Sequence, residues 1–468
     1  WYFTSGNRQA APHGDLAPDI EGPATLGPAL DSRDVLEGVF RHSFFAEPLD
    51  GDTGLAVGYD VFPEWAFSST IVIGRGMEGE IVVDPETGGV ETVFEAPEGL
   101  SGSRAAVAGF DLDTGERKWQ VDLRAAAGES SEAEVWYAAA WPDGLGNAVA
   151  EVHVGPTEDR VLLAIDGQTG EVFSQGEFLA SPTACFMGIQ LTEDNGGPVP
   201  RVAAYRVDNL GSPLWTAESG GRAPLAHTAS GTFWVSTADG YVEAATGRRV
   251  GFDEPGGHTF YRLRAGGKDL VLLGREMNGR VIRVDPATGA ELWATEMPEY
   301  QMDEWTVAAP AVVQQFQENG VPGLVAVDIQ TGAELWSGDG LMQPIPLNGD
   351  PLPAESAILV RQSDGSLAGV DVRDGSVLAQ LGDLGDCAVA DQGPTVVYLA
   401  CGRSGPVRYR ALSLVRDGDP LWEVRPEGAA ALAEASLRSA YGRMWVDVAV
   451  NGEDPSVEDH MVRYEIVG

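Results

Sequence analysis

The chain has 468 residues, of which 43% are hydrophobic, and its formal net charge at pH 7 is -41. This acidic balance excludes nucleic acid and anionic membrane surfaces as expected partners, because a phosphate-binding face requires clustered Lys and Arg. No apolar run approaches the ~18 residues that a membrane-spanning helix requires. We interpret the acidic residues as a solvated surface that keeps the protein soluble.

Residues 1–30 are rich in Pro, Gly, Ala and Asp and show no hydrophobic period. We expect them to form a flexible extracytoplasmic tether. The first residue is Trp1 rather than Met, which leaves room for a signal peptide or a membrane anchor upstream. Residues 31–59 contain several aliphatic and aromatic residues, and we expect this segment to pack on the domain that follows.

A hairpin pattern repeats from about residue 60 to the C-terminus. Residues 284–293, Val-Asp-Pro-Ala-Thr-Gly-Ala-Glu-Leu-Trp, return as Val-Asp-Ile-Gln-Thr-Gly-Ala-Glu-Leu-Trp at 327–336, 43 residues later. An apolar run ends at Asp, a Thr-Gly turn follows, and a second run ends in Trp. This order is typical of a β-hairpin in which Asp accepts backbone N–H groups and Gly takes a positive φ. A fixed period of this length indicates a repeat architecture.

The repeat predicts an all-β fold over residues 60–468, an eight-bladed β-propeller of four-stranded antiparallel blades. Seven whole blades carry the hairpin turns from Gly170 to Gly418. The eighth blade would combine N-terminal strands from residues 60–121 with C-terminal strands within residues 444–467, because a ring must hide its open sheet edges. Seven blades is the alternative count, and nine is the count if the termini build two separate units.

Two of the three cysteines bracket a hairpin. Cys387 and Cys401 flank a strand, a turn at residues 391–394 and a second strand. If the strands pair about that turn, the two cysteines lie opposite each other within disulfide range. We predict a disulfide, which implies an oxidising, extracytoplasmic compartment; two buried free thiols are the alternative. Cys185 lies in an apolar run and is interpreted as a small buried hydrophobic residue.

No catalytic residue, cofactor or metal ion is predicted. The repeated hairpin carboxylates are interpreted as turn-forming groups. The acidic loops at residues 50–54 and 193–197 are the densest candidates for Ca²⁺, but they lack the spacing of an EF-hand, and we interpret them as solvated turns. The six histidines are scattered, so no zinc site is indicated. No nucleophile elbow or P-loop occurs.

Three stretches depart from the repeat, at residues 125–141, 192–200 and 297–305. Two of them carry aromatic residues that could anchor a partner protein, since Trp and Tyr are enriched at the centres of interfaces. The alternative is that these rings pack outer strands against the sheet core. The possible partner-binding residues are Trp136, Tyr137, Trp141, Tyr300 and Trp305.

The pattern Asp-x-x-Thr-Gly-x-x-x-Trp, at residues 111–119, 285–293 and 328–336, resembles the repeat of pyrroloquinoline-quinone-type propellers. The resemblance covers about residues 60–468. It implies that the Trp of each repeat docks one blade against the next. The residues to which this docking role is assigned are Trp119, Trp215, Trp293, Trp336 and Trp422, with Phe173 as the substitute in one blade.

That family contains quinone-dependent dehydrogenases, which also hold Ca²⁺, and members without cofactor that serve as binding platforms. The enzymes usually carry two adjacent cysteines that stack on the quinone, and this chain has no such pair. The resemblance therefore implies a non-enzymatic protein-binding or scaffold module at the cell envelope, membrane-anchored or secreted, with other envelope proteins in a membrane protein complex as partners. A quinone (PQQ)-dependent dehydrogenase and an extracellular ligand sensor are the alternatives. The scarcity of Lys beside Arg suggests a bacterium with a GC-rich genome.

Overall fold

The regular structure of the chain is almost entirely β-strand, which confirms the predicted all-β class. The two helices, α1 (Ser32–Val35) and α2 (Leu123–Ala126), have four residues each. This computed structural model describes residues 17–38, 40–60, 79–83, 90–94, 104–128, 135–154, 160–178, 181–194, 199–219, 226–229, 232–238, 240–250, 260–266, 269–274, 280–285, 290–296, 305–308, 310–318, 321–339, 341–344, 357–402, 406–416, 420–426, 435–450 and 459–468.

The described residues form 39 strands. In chain order the first twenty are β1 (Thr25–Leu26), β2 (Leu30–Asp31), β3 (His42–Phe45), β4 (Thr53–Tyr59), β5 (Gly79–Val83), β6 (Val90–Phe94), β7 (Ala105–Asp111), β8 (Arg117–Asp122), β9 (Val135–Pro142), β10 (Ala148–Val154), β11 (Arg160–Ile165), β12 (Val172–Phe178), β13 (Ser181–Phe186), β14 (Ile189–Asp194), β15 (Arg201–Arg206), β16 (Asn209–Glu218), β17 (Ala226–Ala229), β18 (Thr232–Thr237), β19 (Gly240–Glu243) and β20 (Arg249–Val250). The remaining strands are β21 (Phe260–Gly266), β22 (Asp269–Gly274), β23 (Arg280–Val284), β24 (Glu291–Glu296), β25 (Trp305–Ala308), β26 (Ala311–Glu318), β27 (Val321–Asp328), β28 (Glu334–Asp339), β29 (Leu341–Pro344), β30 (Ala357–Gln362), β31 (Leu367–Asp371), β32 (Val377–Gly382), β33 (Cys387–Gln392), β34 (Val396–Cys401), β35 (Arg408–Ser413), β36 (Pro420–Val424), β37 (Ala435–Ala440), β38 (Arg443–Val450) and β39 (Asp459–Val467).

Strands β9 to β36 form seven antiparallel sheets, each built from four consecutive strands. In each sheet the third and fourth strands are joined by the repeated Asp-containing turn or its variant. In such a sheet, successive connections lie at opposite ends of the strands. The turn between the first and second strands therefore lies at the same end of the sheet as the turn between the third and fourth. We call this end of the sheets, where these turns lie, the repeat-turn edge. Strands β5 and β6 pair separately as a two-stranded sheet.

The eighth large sheet contains both ends of the described chain. Its strand order is β37-β38-β39-β3-β4-β7-β8, and β1 and β2 also pair with β39. Strand β39 runs antiparallel to β1, with Leu26 opposite Ile466, and parallel to β3, with Ser43 opposite His460. The C-terminal strands share this sheet with β7 and β8, as predicted for residues 60–121. The expected direct pairing is wrong, since β39 pairs with β1, β2 and β3 instead. Strand pairing uses backbone N–H and C=O groups, so a segment without a hydrophobic period can still form a strand that pairs with β39.

Residues 17–31 are packed against the last sheets, so the tether predicted for residues 1–30 is corrected for this part. Ala17 is 1% exposed. The Tyr398 hydroxyl donates to the carbonyl of Pro18, and Trp422 Nε1 donates to the carbonyl of Ile20 at 2.9 Å. Likewise β3 and β4, within the segment 31–59 that was expected to pack on the propeller, are strands of its sheet. The predicted tether at residues 1–16 lies outside the described residues.

The apolar core is divided into layers between neighbouring sheets. Leu55 and Val107 of the eighth large sheet pack in one cluster with Ala150 and Leu163 of the β9–β12 sheet. Other clusters join later sheets in the same way. Successive side chains of a strand point to opposite faces, so a sheet with a neighbour on each side buries both faces. This arrangement places the turns and connections of the sheets at the surface.

Candidate functional site

The repeated hairpin carboxylates are occupied by their own turns. Asp111 Oδ1 accepts the backbone N–H and the hydroxyl of Thr114, at 2.9 and 3.0 Å. Asp166 makes the same two bonds with Thr169, at 2.8 and 2.9 Å. Hydrogen bonds from these Thr backbones hold the pKa of both carboxyl groups below the ordinary value. These residues act as turn-forming groups, as the interpretation of the repeat requires.

The repeated tryptophans bridge neighbouring sheets. Trp119 Nε1 donates to the carbonyl of Gly167 at 2.8 Å, and its ring lies against Gly170 in the turn of the next sheet. Because Gly170 has a φ of 75°, a side chain there would be strained as well as in contact with the indole. The same indole-to-carbonyl bond joins Trp215 to Ala244, Trp293 to Ile329 and Trp336 to Val372, whereas Trp422 donates to Ile20 in the N-terminal segment.

Phe173 does not occupy the docking position, and that assignment is corrected. The phenyl ring is 42% exposed. The residue four positions after the turn glycine, where the other repeats have Trp, is Ser174. Its hydroxyl accepts the backbone N–H of Leu210 in the next sheet at 3.0 Å. A shift of one position along a strand moves a side chain to the opposite face, so Phe173 points away from the interface.

The cysteines follow the prediction. Cys387 and Cys401 stand directly opposite each other in β33 and β34 and form a disulfide. Cys185 is free and buried, and burial raises the pKa of its thiol well above the usual range. Among the described residues, one group of three potential metal ligands occurs, consisting of Asp386 and these two bonded cysteines. Both sulfurs are engaged in the disulfide, so this group does not provide a metal site.

In the acidic loops considered for Ca²⁺, Asp50 and Glu193 accept hydrogen bonds from other groups of the protein. Asp50 Oδ1 accepts the backbone N–H groups of Asp52 and Thr53 at 2.8 and 2.6 Å. Glu193 is buried and accepts the hydroxyl of Ser219 at 2.9 Å. Residues 195–198 of the second loop lie outside the described residues.

Of the five aromatic residues considered for partner binding, Trp141 and Tyr137 have described side chains. Trp141 is buried, and its Nε1 donates to Oε1 of the buried Gln190 in the next sheet at 3.1 Å. It therefore packs between sheets and is not available to a partner. Trp136 and Trp305 lie in β9 and β25, but their side chains, like the whole of Tyr300, lie outside the described residues.

Tyr137 belongs to a group of rings that we call the tyrosine–histidine cluster: His42, Phe44, Tyr59, Tyr137 and His153. The ring centroids of Tyr59 and Tyr137 are 6.1 Å apart, and those of Tyr137 and His153 are 5.0 Å apart. His42 and Phe44 lie 5.4 and 6.0 Å from Tyr59. The rings come from β3, β4, β9 and β10, near the strand ends that lie opposite the repeat-turn edge. The cluster thus spans the boundary between two sheets.

Charged groups border the tyrosine–histidine cluster. His153 Nε2 lies 2.6 Å from Oε1 of the buried Glu151, and His42 Nδ1 lies 3.5 Å from Oδ2 of Asp459. Burial raises the pKa of Tyr59 to about 12 and also raises that of Tyr137, so both phenols are neutral at physiological pH. Burial lowers the pKa of His42. Tyr59 is buried, whereas His42, Tyr137 and His153 are half-buried and combine an apolar ring with a polar tip.

The sequence identified one member of this cluster, Tyr137, through its aromatic neighbourhood. The sequence did not indicate His42, Tyr59 or His153, because these residues are distant from one another along the chain and follow no common motif. Strand pairing and sheet packing bring them together.

In the part of the chain that the structure describes, no helix is long and apolar enough to cross a bilayer.

Comparisons with known proteins give one match by sequence and several by structure. The sequence model of the family described as "Outer membrane protein assembly factor BamB" matches residues 200–385 and 277–453, together more than half of the chain. No curated protein matches the chain.

Two solved structures illustrate the structural matches. BamB from Moraxella catarrhalis is 16% identical with a TM-score of 0.38, over 79% of this chain and 95% of that chain. Quinohemoprotein alcohol dehydrogenase from Comamonas testosteroni is 14% identical with a TM-score of 0.33, over 90% of this chain and 75% of that chain.

Proposed function

The chain belongs to the family described as outer membrane protein assembly factor BamB, and from this membership we propose that it is a non-enzymatic scaffold that binds other proteins at the cell envelope. The family match over more than half of the chain carries the proposal. The disulfide between Cys387 and Cys401 supports a place outside the cytoplasm, because such bonds persist in oxidising compartments. The partners are other proteins of a membrane-associated assembly.

The scaffold is a β-propeller closed by its two termini. Trp119, Trp215, Trp293 and Trp336 each bridge one sheet to the next, which supports a continuous circular order. The pairing of β39 with β1, β2 and β3 in the eighth large sheet supports this closure. The closing sheet has nine strands, and the described residues also form seven four-stranded sheets. A rigid ring of this kind displays its connections as binding surfaces.

The tyrosine–histidine cluster is a contact region of this scaffold. Tyr and His combine an apolar ring with a polar tip, the chemistry that interface centres favour. The net charge of -41 favours a partner that carries positive charge, because opposite charge accelerates encounter and suppresses wrong partners.

The experiment that tests the scaffold role compares binding with oxidation. The purified chain is incubated with pyrroloquinoline quinone and Ca²⁺ and assayed for dye-linked oxidation of alcohols and sugars. In parallel, the intact chain is used as bait on the solubilised native envelope, with Tyr137→Ala as the test variant and Tyr205→Ala, a half-buried tyrosine of another sheet, as the control. We expect no oxidation and retention of defined envelope proteins that the Tyr137 variant loses. Quinone-dependent turnover would establish the dehydrogenase alternative instead.

A further inference from the structure

Leu145 is held out of the protein by a rigid turn. It lies between β9 and β10 and is 58% exposed. The carboxylate of Asp143, which is buried, accepts the backbone N–H groups of Leu145 and Asn147 at 2.7 and 2.9 Å and the Asn147 side-chain amide at 2.9 Å. Gly144 and Gly146 both take left-handed conformations, with φ of 79° and 88°. The turn therefore fixes the backbone that presents this exposed apolar side chain at the surface.

Met187 is exposed from the corresponding turn of the next sheet. It lies between β13 and β14, is 37% exposed, and has a φ of 45°. The left-handed region is uncommon for residues other than Gly, Asn and Asp, and a two-residue hairpin turn usually has Asn at this position. Tyr441, which shares this conformation, is half-buried and its hydroxyl donates to the carbonyl of Leu49 at 2.7 Å. Met187 instead is exposed at the surface.

The two turns touch each other at the repeat-turn edge. The backbone N–H of Gly188 donates to the carbonyl of Asp143 at 2.9 Å. Leu145 Cδ1 lies 2.8 Å from the position that a Cβ on Gly188 would take, so Leu145 covers this glycine. Leu145 and Met187 are therefore neighbours on one preorganised surface, which we call the turn patch. It lies at the opposite edge from the tyrosine–histidine cluster.

The charge around the turn patch is negative. On one side, the turn that contains Asp166 and Glu171 touches it, because the carbonyl of Gly146 lies against Gly167. On the other side, Val207 donates its N–H to the carbonyl of Gly188, which places Asp208 beside the patch. Arg206 pairs with Asp208 at 2.6 Å, whereas Asp166 and Glu171 form no ion pair within the part of the chain that the structure describes.

We propose that the turn patch is a docking point for a positively charged segment of a partner protein, which places an apolar side chain against Leu145 and Met187. The inference rests on the proposed binding function and adds the place and the chemistry of the partner. Rigid turns reduce the ordering cost of binding, since the backbone that carries the two side chains is already positioned. The surrounding carboxylates select a cationic segment over an acidic one.

The test begins with a photo-crosslinking residue, p-benzoylphenylalanine, placed at position 145 of the full chain in the cells that produce it. Position 292 serves as the control, because Leu292 is 50% exposed on β24, an outer strand of another sheet. The adduct is mapped by mass spectrometry, and the crosslinked segment is synthesised as a peptide probe. We expect an adduct from position 145 and not from 292, with a segment of net positive charge.

Affinity for that peptide is then measured for wild type, Leu145→Ser, Met187→Asn and the control Leu292→Ser. Asn tolerates the left-handed conformation, so Met187→Asn keeps the turn and the melting temperature while it removes the apolar side chain. We expect Leu145→Ser and Met187→Asn to weaken binding at least about tenfold, and binding to weaken as salt rises. Leu292→Ser should bind like wild type.

Four results would overturn the docking point: equal adducts at 145 and 292, an acidic segment, an adduct between two copies of this chain, or unchanged affinity in both patch variants. If the envelope bait experiment retains partners but position 145 yields no adduct, the docking point is wrong and the scaffold role stands. If no partner is retained and quinone-dependent oxidation occurs, the scaffold role itself fails.

Discussion

Arg463 of β39 and Asp447 of β38 form an ion pair that is closed to solvent. The guanidinium donates to the two carboxylate oxygens at 2.6 and 2.8 Å, and the two side chains are 1% and 0% exposed. A further N–H of Arg463 donates to the carbonyl of Ala46, just after β3. The pair therefore ties the C-terminal strands to the N-terminal part of the same sheet.

Replacing Arg463 with Leu should destabilise the protein strongly. Breaking a buried ion pair by removing one partner costs up to about 3–5 kcal/mol. Here Asp447 would keep a second partner, Arg438, whose Nε lies 3.3 Å from Oδ2 of Asp447. The double variant Arg463→Leu with Asp447→Leu should recover part of the loss, because neither member of the buried pair remains and Arg438 keeps Glu47 as an ion-pair partner at 3.7 Å. Arg425→Leu is the control, since its pair with Glu423 is exposed. Urea unfolding monitors all four proteins, and equal stability of Arg463→Leu and wild type would contradict the interpretation.

Gly375→Ala should cost more stability than Gly365→Ala. Both glycines are left-handed, with φ of 73° and 87°, so each alanine carries a conformational penalty of about 1–2 kcal/mol. At Gly375 the new Cβ would also lie 2.7 Å from the indole of Trp336, whereas nothing lies within 4 Å at Gly365. The difference between the two melting temperatures measures the sheet-to-sheet contact. Equal losses would show that the indole contact contributes nothing.

Thiol counting should find one free thiol in the denatured, unreduced chain and three after reduction. The native protein should leave Cys185 unmodified by iodoacetamide at pH 8, because the thiol is buried and its pKa is raised. Replacing Cys387 and Cys401 together with Ser should lower the free energy of unfolding by about 3 kcal/mol, the value for a closed loop of about 15 residues. Three thiols before reduction would argue against an extracytoplasmic compartment.

Deletion of residues 1–31 should lower the melting temperature, whereas deletion of residues 1–16 removes none of the described contacts and serves as the control. The longer deletion removes β1 and β2 from β39 and takes the carbonyl acceptor from the indole of Trp422. Each polar group left buried without a partner costs about 1–3 kcal/mol. If the two truncated chains have the same melting temperature, the N-terminal strands do not stabilise the closing sheet.

The turn carboxylates should contribute to acid sensitivity. The pKa of Asp166 is lowered in the folded state, so the ionised form stabilises the fold. This contribution is fully present above the unfolded value of about 3.8 and is lost as the pH falls through the lower folded pKa. Asp166→Asn should therefore be less stable than wild type at pH 7, and the difference should shrink below pH 3.8. A constant difference across that range, measured by urea unfolding, would exclude the charge as its cause.

The sequence by itself determined the repeat, the all-β class, the disulfide and the positions of Trp119 and Trp336 at sheet boundaries. These features are local, because an Asp, a turn glycine and an aromatic residue at fixed spacing specify a hairpin wherever they occur. A one-residue error was enough to misplace Phe173, since strand faces alternate with every residue.

The tertiary structure alone decided how the chain ends meet and which residues share a site. Residues 17–31 have no hydrophobic period, yet they pair with β39, because backbone hydrogen bonds carry little sequence signature. Tyr59 and Tyr137 meet only when their sheets pack. Leu145 and Met187 become neighbours because a backbone bond joins two turns whose sequences share no motif. Such contacts depend on packing between distant segments, and no spacing along the chain encodes them.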